Sequence, residues 1–454
     1  MNRKTQQIIH FVVSTFLLLI PAFYNGYPLV FADTGQYVLS SVDLIPPSTS
    51  PMGYIFFVRI FAWNESLWIV IFAQAAIVNF LIYKTVKILI LHNRHLYHFA
   101  IVAFLSIFTG ASWYSSQIMP DIFAPILVLS IFVFLNYHKS LWMNIGLILI
   151  LIITCISHFT YLYTCFLTSF VFFVFLFYNR KKIPMPKIII NKLIGIFLIV
   201  VSSYYFTPTY NYLHGNDFNS SKIKHVLLMA KLVENGVAKE FLDNNCHENR
   251  YCLCDYKDNL PTNPPAFVWR AESPFFKTGG WSNSKLEYEE IISIVFSDPG
   301  YLSMFIYKGF ISTIKLLTIN ELGSSFSEYR ENSTIYNVIQ KEMPHELNEF
   351  KNARQYNKKL SFTFINLFLN LFLVLSVIII YFSFRKGFFK GNLELQSLII
   401  VVISAVIFNA AISGSFSAIA PRYQSRISWL VILVALIILI NYFSKFKTIF
   451  HAKK

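Results

Sequence analysis

The sequence predicts an all-α polytopic membrane protein with about ten transmembrane helices and a mixed external domain. Three observations carry this reading. Of 454 residues, 55% are hydrophobic and only 13% charged. Several apolar runs reach the roughly 18–20 residues that a helix needs to cross a hydrocarbon core. Basic residues are also divided very unequally between the two sets of loops that separate those runs.

The runs are taken in chain order. The first, 8–24, follows Arg3 and Lys4; its flank Leu-Ile-Pro-Ala-Phe-Tyr-Asn lacks a small-x-small cleavage site, so it reads as an uncleaved span. A sizeable loop, 25–65, precedes the run at 66–83. Runs 96–112 and 120–137 are tightly connected, 141–157 and 160–178 almost fused, and 188–206 closes a seven-span block, 1–206. Residues 207–360 are long enough for a small domain, with turn-rich stretches at 260–265 and 278–281. Within them the apolar run 301–320 is interrupted by Lys308 and Lys315, seven apart on one helix face, which predicts an amphipathic helix lying on the membrane. Runs 361–384, 396–414 and 426–444 form the last block, 361–454, which ends in a basic tail.

Orientation follows from charge. One set of loops, together with the termini, holds 18 of the 38 Lys and Arg residues, the short loops opposite hold three (Arg59, Arg422 and Arg426), and 17 lie in 207–360. The positive-inside rule then places both termini in the cytoplasm and 207–360 outside. The net charge of +15 is therefore a topology signal and not a nucleic-acid one. There is no P-loop or Rossmann glycine pattern. The lack of an internal repeat, and of charge at mid-depth in the spans, counts against a transporter.

Of five cysteines, Cys155 and Cys165 lie in apolar runs and read as packing residues. Cys246, Cys252 and Cys254 cluster in the external stretch, where Cys246–Cys252 or Cys246–Cys254 would close a short disulfide loop. A zinc site with His247 is the rival reading, but the spacing C-x5-C-x-C matches no standard zinc pattern.

Acidic residues point to the chemistry. Of 23, 18 lie in 207–360; the other 300 residues hold Asp33, Asp43, Glu65, Asp121 and Glu394, the first four on the external side. A carboxylate at a membrane face is costly to keep. Asp33 lies in Tyr-Pro-Leu-Val-Phe-Ala-Asp-Thr-Gly-Gln-Tyr (27–37), Asp121 ends Trp-Tyr-Ser-Ser-Gln-Ile-Met-Pro-Asp (113–121), His158 sits in the next external turn, and Arg422 and Tyr423 in Ala-Pro-Arg-Tyr-Gln-Ser-Arg (420–426). Each has a plainer reading. Asp33 and Asp121 could cap helices, His158 could mark a tight turn, and Arg422 could anchor a lipid headgroup; Arg426 is expected to be such an anchor. Transfer of a sugar from a polyprenyl phosphate needs a carboxylate to take the acceptor's proton. It also needs a cation for the departing phosphate, and the guanidinium fork suits that task.

The layout resembles the GT-C superfamily of integral-membrane glycosyltransferases. Asp33 in Phe-Ala-Asp-Thr-Gly matches the first-loop acid, Met-Pro-Asp (119–121) the second acidic position, and Pro-Arg-Tyr (421–423) the Arg-Tyr element near the last spans. The resemblance covers the plan of the whole chain through short motifs. It departs from the pattern at Gly35, where some members carry a second acid, which leaves use of a divalent metal open. Size and composition look most like bacterial and phage enzymes that decorate O-antigen. The resemblance implies an inner-membrane hexosyltransferase, taking its sugar from a polyprenyl-phosphate donor to a glycan or lipid-linked saccharide. Asp33 would then be the general base, Asp121 an orienting or second acid, His158 an acceptor or phosphate contact, and Arg422 with Tyr423 the phosphate clamp. Trp269, Arg270 and Glu272 would contact the acceptor. The rivals are an O-antigen polymerase using a lipid diphosphate, a flippase, and a receptor or assembly factor.

Overall fold

The computed structural model describes residues 3–451 apart from 138–139, 181–186, 247–250, 325, 328 and 330. His247, the expected zinc partner, lies outside the described residues. Regular structure among the described residues is helical; the β contact they hold is an isolated parallel bridge between Leu29 and Gln117. The mixed structure expected for 207–360 is replaced there by helices.

In order these are α1 (Arg3–Leu17), α2 (Ile20–Asn25), α3 (Thr34–Asp43), α4 (Gly53–Ala62), α5 (Leu67–Leu89), α6 (Arg94–Phe108), α7 (Ala111–Ser115), α8 (Phe123–Asn136), α9 (Leu141–Cys155), α10 (Phe159–Tyr178) and α11 (Lys187–Leu213). Next come α12 (Lys224–Glu234), α13 (Val237–Asn245), α14 (Pro264–Trp269), α15 (Pro274–Lys277), α16 (Gly280–Ser297), α17 (Pro299–Thr318), α18 (Thr334–Glu342) and α19 (Leu347–Asn352). The last are α20 (Thr363–Arg385), α21 (Leu393–Phe416) and α22 (Arg422–His451).

Among the described residues, six helices are long and apolar enough to cross a membrane: α5, α10, α11, α20, α21 and α22 through Ser444. The other expected spans come out shorter. The run 8–24 is split between α1 and α2, because Pro21 has no N–H to continue the α1 ladder. Helices α6 and α9 are 15 residues each. That is about 22 Å, less than the roughly 30 Å of a hydrocarbon core.

Two apolar cores form. The first joins the long helices to Leu322, Phe326, the inward face of α18 (Ile335, Tyr336, Val338, Ile339) and Phe350. The second is separate: Val226, Met229, Phe241, Phe267, Phe275, Tyr288, Ile291 and Phe305 draw α12 through α17 together. The stretch 207–360 is therefore divided between the two. Its first part has a core of its own. Its last part packs on α3, and a Cβ at Gly35 would stand 2.7 Å from the Ile335 backbone nitrogen. Position 35 thus has no room for the second acid of the motif.

Helix α17, expected to lie on the membrane, crosses the C-terminal end of α21 through small residues. A Cβ on Gly309 would stand 2.7 Å from Ser415 Oγ, and one on Gly414 would stand 3.0 Å from the Ser312 backbone. Such residues let helix backbones approach closely. Its other face leaves Ile306, Tyr307, Phe310 and Ile314 exposed. Lys192, counted among the loop charges, is buried in α11. Its Nζ donates to Phe134 O at 2.5 Å and Tyr137 O at 2.7 Å, which satisfies carbonyls at the end of α8.

Cys246 and Cys254 are disulfide-bonded, one of the two pairings open from the sequence, and Cys252 is an exposed thiol. Closing so short a loop is worth about 2–3 kcal/mol on the chain-entropy account. In protein prepared under oxidising conditions, a maleimide is expected to label Cys252 and to reach Cys246 and Cys254 only after reduction. Labelling of all three without reductant would contradict the pairing.

Candidate functional site

Two loops that carry the acids are tied together by β-type hydrogen bonds. Leu29 N donates to Ser116 O at 2.9 Å, and Ile118 N donates to Leu29 O at 2.8 Å. Thr34 Oγ1 accepts from Phe31 N at 2.8 Å and donates to Ile118 O at 2.9 Å. Gln74 Nε2 supports the second loop by donating to Ser115 O and Gln117 O, while Gln74 Oε1 accepts from the Tyr54 hydroxyl. Asp33 and Asp121, 88 residues apart in sequence, are thereby brought within electrostatic reach of each other.

Asp33 stands just before α3, where a cap would sit, yet its carboxylate makes no capping bond. No hydrogen bond to it is formed among the described residues. It is half-buried. Burial raises its pKa above the usual carboxylate range, Arg422 opposes that rise, and Asp121 adds to it.

Asp121 is committed. Its Oδ1 accepts from Arg426 Nη1 at 3.1 Å, with both side chains almost fully buried. Arg426 also donates from Nη2 to Asn409 Oδ1 at 3.0 Å, and its guanidinium lies 5.0 Å from the rings of Tyr161 and of Tyr423. The expected headgroup anchor is thus an internal ion pair joining the turn before α8 to α22, with α21 held through Asn409. The cause is helical periodicity: Arg422 and Arg426 are i and i+4 on one face of α22, and that face points into the bundle.

Each arginine keeps one buried nitrogen without a partner among the described residues, Nε on Arg426 and Nη1 on Arg422. The Arg422 guanidinium stacks on Phe31 at 4.1 Å, and its Nη2 donates to the Tyr423 hydroxyl at 3.3 Å. A buried donor left unmade is expensive, and Asp121 and Asp33 both act electrostatically on this guanidinium.

His158 caps α10. Its Nδ1 accepts from Thr160 N at 3.2 Å and lies 2.8 Å from Thr160 Oγ1. With Nδ1 accepting, the ring proton sits on Nε2. Burial, then Arg426, lowers its pKa to about 3, so it is neutral at physiological pH. It can donate a hydrogen bond but makes a poor proton acceptor.

Phe31, Tyr37 and Tyr329 join the site without having been singled out from sequence. Tyr37 is one helical turn after Asp33; burial, then Asp33, raises its hydroxyl pKa. That i, i+4 spacing was a usable signal. Tyr329 feels both Asp33 and Arg422, and nothing local in its sequence announces this. Trp269, Arg270 and Glu272 do not reach the cluster through any contact among the described residues. They are exposed beside the second core, where Trp269 lies 5.8 Å from Trp281.

Among the described residues no three His, Cys, Asp or Glu side chains converge as a metal-binding group. Comparison with known proteins adds nothing further: no family model matches the chain, and neither a curated protein nor a solved structure is detectably similar to it.

Proposed function

We propose that the protein is a multispanning inner-membrane glycosyltransferase of the GT-C type, with both termini cytoplasmic and the Asp33–Arg422 site at the outer face. It moves a hexose from a polyprenyl-phosphate donor to a hydroxyl of a surface glycan. The acceptor oxygen attacks the anomeric carbon as the bond from that carbon to the phosphate oxygen breaks. The acceptor's proton passes to Asp33, and the lipid phosphate leaves with its charge met by Arg422. His158 donates from Nε2 to donor or acceptor oxygen. Asp121 holds Arg426 and, through it, the register of α22.

The observation that supports this reading is the unpartnered Arg422 Nη1 beside an uncapped, half-buried Asp33. A base and an anion-binding donor stand ready on one face, and a membrane-embedded donor lipid would present its phosphate there. Arg426 is already spent on Asp121. One available guanidinium matches one phosphate group better than the two of a polymerase-type donor.

The test is transfer by purified protein from a polyprenyl-monophosphate hexose and from its diphosphate counterpart. Monophosphate is expected to be used. Arg422→Lys keeps the charge and loses the fork. Loss of one charge-assisted hydrogen bond of about 1.5–3 kcal/mol predicts a roughly 10- to 100-fold slower transfer. Transfer from the diphosphate alone, or Arg422→Lys at full rate, would refute this assignment.

A further inference from the structure

We propose that Gln355 is a positioning residue: its side-chain amide stands in for a missing β-strand and sets the placement of Asp33 against Arg422. This rests on the glycosyl-transfer reading for its consequence but not for its geometry.

The segment Leu29–Val30 is extended, and successive residues of an extended chain turn their N–H and C=O groups to opposite sides. Leu29 faces residues 116–118. Val30 faces the other way and is 1% exposed, so its backbone groups need partners inside the protein. Gln355 supplies both. Its Oε1 accepts from Val30 N at 3.0 Å and its Nε2 donates to Val30 O at 2.8 Å. The second Nε2 proton goes to Ser327 O at 3.0 Å. A primary amide offers a donor and an acceptor side by side, as a neighbouring peptide group would. Gln355 is itself buried, and its backbone N–H donates to Asn25 Oδ1 at 2.7 Å. Arg354 N donates to Asn25 O at 2.8 Å.

The site begins one residue after Val30. Phe31 is the platform under the Arg422 guanidinium, at 4.1 Å. Ala32 and Asp33 come next. A shift of Val30 therefore moves the arginine's support and the carboxylate together. Glu346 secures the same loop further back, accepting from the Tyr27 hydroxyl at 2.6 Å and Ser66 Oγ at 2.5 Å. That contact anchors the loop without setting the Phe31–Asp33 register.

The charged and titratable groups that act on Asp33 are Arg422 from α22, Asp121 from the loop before α8, Tyr37 from α3, and Tyr329. Of these, Arg422 favours the ionised carboxylate. Burial is the larger influence and disfavours it; loosening the loop admits water to the carboxylate, so Asp33 would keep its charge to a lower pH.

Gln355→Met keeps length and removes both hydrogen-bonding functions; Gln355→Asn keeps the amide but cannot reach. Transfer is expected to fall by roughly 10²-fold, the cost of about 1 Å of misplacement. The acid limb of the kcat/KM profile should move to lower pH, which a smaller folded fraction would not do. A second readout needs no activity: in an Asp33→Cys background, an impermeant maleimide should react faster when Gln355 is also replaced. Faster labelling with an active Asp33→Asn enzyme would leave Gln355's role standing and refute the catalytic reading. Unchanged labelling and an unmoved acid limb in either variant would overturn the proposal. Should Gln355→Met fail to accumulate, Gln355→Asn decides.

Discussion

Asp33→Asn is expected to slow glycosyl transfer by roughly 10²- to 10⁴-fold, the usual cost of losing a general base, while the protein accumulates normally. The structure sharpens this substitution. Asn caps helices about as well as Asp, and Asp33 makes no capping bond in any case, so no structural loss is foreseen. Stability should move the other way. Asp33's pKa is raised in the folded protein, so the folded state holds that proton more tightly than the unfolded one. Its carboxyl therefore favours folding as pH falls through the raised value and opposes folding once ionised. Asn mimics the neutral form, and the thermal transition at neutral pH should stay level or rise. Wild-type transfer should decline with falling pH earlier than an ordinary carboxylate would dictate. The measurements are transfer rate against pH and thermal unfolding in detergent, with membrane levels checked by blot. Near-normal glycan from Asp33→Asn would sink the mechanism.

The second large effect is structural. Arg426→Met alone, or Asp121→Leu alone, leaves one uncompensated charge in the interior, and breaking a buried pair typically costs about 3–5 kcal/mol. Either variant is expected to accumulate poorly and to unfold at a much lower temperature. Making both replacements together removes the stranded charge and should recover most of the loss, since apolar replacement of such pairs is often neutral or better. If Asp121 instead acted in the reaction alone, Asp121→Leu would be stable and inactive, and adding Arg426→Met would recover nothing. Unfolding midpoints of the two single variants and the double variant separate the cases.

Much of the plan was legible from composition. Long apolar runs became α5, α10, α11, α20, α21 and α22 because helix length and hydropathy are local properties. The rarity of acids outside 207–360 drew attention to Asp33 and Asp121, since a carboxylate near lipid stands out without any knowledge of its partners. The three clustered cysteines announced a disulfide, and only the fold chose Cys254 over Cys252.

Partnership is what the sequence by itself could not determine. Asp121 and Arg426 meet across 305 positions, and Gln355 meets Val30 across 325. Nothing in Pro-Arg-Tyr-Gln-Ser-Arg marks which arginine is buried in an ion pair with Asp121; the rotation of α22 decides that. Gly35 read as a motif departure until the α18 backbone was found where its side chain would go. The division of 207–360 between two cores likewise depends on which faces of α18 and α12 find apolar partners. Residue type and periodicity set which segments become helices and which side chains are costly in a membrane. Which of those side chains is satisfied, and which keeps a polar group unpartnered among the described residues, is a matter of long-range contact, and only the tertiary structure decided it.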